Sequence, residues 1–132
     1  SYFAIGDVTQ MVIEGLAGRE FIDQLDGNQI KPQTGDVHIR REVDRIYVNS
    51  DDTCIIHDAV MRRQIQVKKS GSQTTVVWNP WEDKAKAMAD FSDEGYREML
   101  CIETANAADD VIQLAPGETH TLSQIISMTA GA

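Results

Sequence analysis

Short segments rich in Val, Ile, Thr and aromatic residues recur along this chain, and Gly, Asp, Asn or Pro interrupts them about every ten residues. That rhythm constrains the fold strongly. Strands of four to eight residues separated by turn-formers build an all-β sandwich, because each extended run must stop where the backbone can reverse. "TQMVIEGL" alternates Met11 and Ile13 against Gln10, Val12 and Glu14, then stops at Gly15. "GLAGREFID" carries two glycines that suit a turn, and "GNQIKPQTGD" reads as a loop. "VDRIYVNSDD" and "TCIIHD" follow as strands, and "RRQIQVKKSGSQTTVVWNP" has the form of a hairpin around Ser70-Gly71-Ser72. "EMLCIETANA" and "ETHTLSQIISM" are two more strands, joined through the Pro116-Gly117 turn. One short helix is expected near residues 82–88, in "WEDKAKAMADF", where acids precede lysines as a helix dipole favours.

Charge and composition then narrow the functional classes. With 132 residues, 42% of them hydrophobic and 25% charged, the chain fits one soluble globular domain, and no apolar run approaches the ~20 residues of a membrane span. The net charge of −9, from 21 acids against 12 Lys and Arg, argues against nucleic acid, whose phosphates are bound by basic stripes. Arg40 with Arg41, and Arg62 with Arg63, are the local basic pairs, and both read as surface charge. Cys54 and Cys101 each sit in an apolar segment and are expected as buried, reduced thiols of a cytoplasmic protein. His38, His57 and His120 show no metal-ligand spacing, so no metal site is expected.

Two carboxylates stand out because they interrupt strands. In "MLCIETA", alternation puts Met99, Cys101, Glu103 and Ala105 on one face and Leu100, Ile102 and Thr104 on the other, with both faces expected to be substantially buried. A buried carboxylate must be paired or hydrogen-bonded, or its pKa rises toward the range useful for acid–base work. On spacing alone, a solvent-facing or arginine-paired structural acid is the default for Glu103. Asp44 poses the same question in "VDRIYV": it shares a face with Ile46 and Val48, whereas Arg45 lies with Tyr47. Trp78 and Trp81 bracket an Asn-Pro turn, a position that suits core and rim packing or a sugar-stacking platform.

The run "WNPWEDKAKAMADFSDEGYREMLCIETAN" and the later "LAPGETHTLSQIISM" resemble the C-terminal part of the D-hexose-6-phosphate mutarotases, or glucose-6-phosphate 1-epimerases, within the wider aldose 1-epimerase family. "SYFAIGDV", "IEGLAG", the Asp of "FID" and "EVDRIYVN" extend the resemblance over nearly the whole chain. It implies part of a galactose-mutarotase-like β-supersandwich, with residues 1–132 as the C-terminal half and the N-terminal half absent. The implied activity interconverts α and β anomers of a hexose 6-phosphate without any cofactor. A glutamate takes the proton of the anomeric hydroxyl, a histidine protonates the ring oxygen, and the opened ring closes to the other anomer.

The family's base lies in a strand "C-[IV]-E-T-A", matched by Glu103, and its substrate-binding aspartate in "D-R-[IV]-Y", matched by Asp44. Its acid histidine immediately precedes the segment that appears here as "SYF", and none of His38, His57 or His120 lies in that motif. The resemblance therefore implies a fragment that is inactive alone, lacks the phosphate-holding arginines, and associates with itself or with a separately supplied N-terminal half. The competing reading is a non-catalytic carbohydrate-binding β-sandwich that keeps Asp44.

Overall fold

The computed structural model describes residues 1–131. The strands are β1 (Tyr2–Ala4), β2 (Met11–Glu14), β3 (Glu20–Asp23), β4 (Gln29–Pro32), β5 (Val43–Tyr47), β6 (Cys54–Asp58), β7 (Arg63–Ser70), β8 (Thr74–Asn79), β9 (Met99–Ala105) and β10 (Ser123–Ala130). They form a six-stranded sheet in the order β1-β9-β8-β5-β3-β4 and a four-stranded sheet in the order β10-β7-β6-β2, with every pairing antiparallel. The all-β expectation holds. Helix α1 (Trp81–Ala87) lies one residue earlier than expected.

The two sheets bury one core between them. Phe3, Phe21, Val43, Tyr47, Val77, Leu100 and Ile102 come from the six-stranded sheet, and Met11, Ile13, Cys54, Ile56, Ile65 and Val67 from the other. Alternation places these side chains inward and their neighbours outward, as the period of two dictates. Arg45 points inward beside Tyr47, in keeping with the alternation of its strand, lying 4.4 Å over the Phe21 ring and donating to the Tyr47 hydroxyl at 3.2 Å. Asp58 is buried and holds the β1–β2 connection to β6 and β7: it accepts from Arg63 Nε at 3.1 Å, from the Gly6 amide at 3.3 Å and from the Met61 amide at 3.3 Å.

Three local expectations are corrected. Residues 29–32 are not loop but strand β4, which pairs with β3 on the sheet edge and even places Pro32 there, where no ladder amide is required. The segment from Arg63 to Asn79 is not a hairpin, because β7 and β8 belong to different sheets. At Gly71 the backbone takes φ +73° and passes so close to the Thr121 carbonyl that no Cβ fits. The chain then turns inward at buried Ser72, and Lys69 crosses the gap to donate to Ser72 Oγ, the Thr74 carbonyl and Thr75 Oγ1 at 3.0, 2.7 and 2.8 Å. Glycine and serine at an arch between sheets look like a hairpin turn in sequence. The third correction concerns the last strand, which begins at Ser123 rather than near Glu118.

Candidate active site

Strand register decides which outward side chains share a face, because residues paired across a ladder project to the same side. On the outer face of the six-stranded sheet, Asp44 pairs with Trp78 and Trp78 with Cys101, which in turn pairs with Tyr2. The adjacent row runs from Glu103 through Val76, Ile46 and Ile22 to Ile30. Glu103 and Asp44 therefore stand on one face, two strands and one diagonal step apart. Strand spacing makes this roughly 12 Å between their Cα atoms. Trp78 lies between them, half-buried, and Trp81 turns away to stack on Tyr96 at 5.0 Å between centroids.

The reverse side of this face is core. Leu100 and Ile102, next to Cys101 and Glu103 in β9, and Val77, next to Trp78 in β8, are all buried. Side chains on the outer face thus stand on a floor that packing holds in place. Beyond Trp78, Asn79 stiffens the strand ends: its side-chain amide donates to the Tyr96 and Met99 carbonyls at 2.9 and 3.0 Å, and its Oδ1 accepts from the Trp81 amide at 2.8 Å.

Glu103 itself is exposed, which corrects the expectation that both faces of its strand are buried. Met99 is covered, but Cys101 is only half-buried, so Cys101 is not the core thiol that its apolar segment predicts. Both cysteines are free, and Cys54 is the buried one. Burial, followed by the neighbouring Glu103 carboxylate, pushes the Cys101 thiol up to about 11, so it is neutral beside the acid at physiological pH. Asp44 is half-exposed and accepts a hydrogen bond from Gln24 Nε2 at 2.7 Å. Sequence reasoning misses Gln24, because only the strand register brings it opposite Asp44.

The histidines lie elsewhere. His57 pairs with Glu14 at 2.9 Å on the outer face of the four-stranded sheet, His120 bonds the Gly71 carbonyl and Asn106 Oδ1, and His38 is exposed. Among the described residues no cluster of three or more His, Cys, Asp and Glu side chains has metal-binding geometry.

The family model of aldose 1-epimerase matches residues 1–127. The chain belongs to the aldose 1-epimerase family. A protein of Cenchrus ciliaris, provisionally named a glucose-6-phosphate 1-epimerase, is 38% identical over 119 residues, which make up 89% of this chain and 36% of that protein. An Escherichia coli protein with the same provisional name is 32% identical over 83% of this chain and 37% of its own length. The solved structure of YeaD from Salmonella typhimurium, provisionally titled a mutarotase, superposes with a TM-score of 0.86 at 32% identity, covering 98% of this chain and 44% of that one. The chain thus spans about a third of the length of the curated relatives it matches.

Proposed function

We propose that this chain carries the general base and a hydroxyl-binding carboxylate of a hexose-6-phosphate 1-epimerase, Glu103 as base and Asp44 as binder. One observation carries the reading: the two acids of the family motifs fall on a single sheet face with an aromatic side chain between them. An aromatic ring offers an apolar surface to the C–H face of a sugar, while carboxylates at either side accept from its hydroxyls.

The register also supports a place for the acid. Tyr2 pairs with Cys101, and Ser1 exchanges main-chain bonds with Ile102, its terminal nitrogen at 2.6 Å from the Ile102 carbonyl and its own carbonyl 3.0 Å from the Ile102 amide. A residue preceding Ser1 in a longer polypeptide would stand opposite Glu103, and directly opposed side chains have Cβ atoms ~4.5–5.5 Å apart. The anomeric hydroxyl and the ring oxygen are bonded to the same carbon, so the base and acid must be neighbours. A histidine at that position would give the ring oxygen its proton as Glu103 takes one from the hydroxyl.

In such a polypeptide, the remaining strands of the family domain are proposed to cover β10, all of whose residues are exposed here. The test is α-to-β exchange of glucose 6-phosphate followed by NMR. In the family-length enzyme, Glu103→Gln lowers exchange by ~10²–10⁴-fold while sugar binding persists. The 132-residue chain alone is expected to show little exchange. Undiminished exchange in the Glu103→Gln enzyme overturns the assignment. Binding without turnover in the unsubstituted family-length enzyme favours a sugar-binding module instead.

A further inference from the structure

We infer that Gln24 is a positioning residue for the sugar-binding carboxylate, fixing Asp44 in the orientation that meets substrate; this rests on the reading of Asp44 given above. Gln24 lies just past the end of β3 and is held opposite Asp44 twice. Its main-chain amide donates to the Asp44 carbonyl at 3.0 Å, and its side-chain Nε2 donates to Asp44 Oδ1 at 2.7 Å. Among the described residues this is the only side-chain partner of the Asp44 carboxylate.

An ionised carboxylate accepts through both oxygens, with about four lone-pair directions in total. Occupation of Oδ1 by Gln24 selects one rotation of the group and leaves Oδ2 open to a hydroxyl on the face shared with Trp78 and Glu103. The donor is neutral, so it orients the carboxylate without cancelling its charge.

Gln24 can do this because the turn that follows it is rigid. Asp23 Oδ1 accepts the Leu25 amide at 3.0 Å, and Asp23 Oδ2 receives Lys31 Nζ at 2.8 Å. The Asp23 carbonyl accepts the amides of Asp26 and Asn28 at 3.2 and 3.0 Å. Gly27 and Asn28 supply the left-handed backbone, φ +58° and +59°, that closes the turn. The turn fixes the backbone from which the Gln24 side chain reaches Asp44. Exposure of Gln24 also means that its loss leaves no cavity.

The test uses the family-length enzyme with Gln24→Ala, Gln24→Glu, Gln24→Lys and Asp44→Asn, read as kcat, KM and melting temperature. Gln24→Ala is expected to raise KM for glucose 6-phosphate roughly tenfold, through a mis-set carboxylate, with an unchanged melting temperature. Gln24→Glu keeps the shape but removes the donor and is expected to be worse, whereas Gln24→Lys restores a donor but adds a charge against Asp44 and is expected to recover only part of the loss. If Asp44→Asn raises KM and Gln24→Ala and Gln24→Glu do not, the positioning role is wrong and the site stands. If Asp44→Asn leaves KM unchanged, the reading of Asp44 itself fails.

Discussion

Strands β9 and β10 have similar lengths and each carries several large apolar side chains, "MLCIETA" against "SQIISMTA", yet they meet opposite surroundings. β9 is paired on both sides, by β1 and β8, and its Leu100 and Ile102 are sealed beneath the opposing sheet. β10 is paired only with β7, and Ile125, Ile126 and Met128 remain 67%, 45% and 63% exposed. Neighbours, not strand composition, decide burial. β9 can therefore hold an exposed acid such as Glu103 on a stiff support, while β10 is a bare edge of the kind that recruits other strands.

The contrast predicts a steep gradient of sensitivity. Asp58→Ala removes the carboxylate that satisfies Arg63 and the Gly6 and Met61 amides inside the sandwich. Breaking such a buried pair is expected to cost ~3–5 kcal/mol, measured by denaturant unfolding. Ile102→Ala in β9 is expected to cost ~2–5 kcal/mol by the same measurement. On β10, Ile126→Asp should change monomer stability by ~0.5 kcal/mol or less while weakening concentration-dependent association in sedimentation experiments. A large stability loss from Ile126→Asp, or no association of the unsubstituted chain at high concentration, would erase the distinction.

A further expected effect is alkaline. Burial pushes the Cys54 thiol up to about 11, and burial with the Glu103 carboxylate does the same for Cys101. Folded values above the ordinary ~8.5 mean that the neutral thiols favour the fold fully below about pH 8.5, and that this contribution disappears as pH rises through about 11. Melting temperature is accordingly expected to fall over that window. Cys101, the more accessible thiol, should alkylate slowly at neutral pH and faster as the window is crossed.

Strand alternation makes much of the site legible in the residues themselves. In "MLCIETA" and "VDRIYV" it groups Glu103 with Cys101 and Asp44 with Ile46, and the ladders keep both groupings. Period-two patterning reports which residues share a face, but not which face is covered. The apolar run around Glu103 therefore suggests burial where the structure exposes it, since its outer face lacks the second layer that Leu100 and Ile102 enjoy. Connections are less legible still. Ser70-Gly71-Ser72 has the chemistry of a tight turn whether the next strand pairs with the last or crosses to another sheet, and only the inward packing of Ser72 and Lys69 decides it. Gln24 is invisible in the sequence for a related reason, because its partner lies 20 residues away.

Under the proposed function, sugar sits on the outer face of β5, β8 and β9. Titration of the isotope-labelled chain with glucose 6-phosphate, followed by amide and indole shifts, addresses it most directly. Movement is expected at Gln24, Asp44, the Trp78 indole, Cys101 and Glu103, together with its loss in Asp44→Asn. Shifts confined to β10 or to the His57–Glu14 face, unaffected by Asp44→Asn, would contradict it.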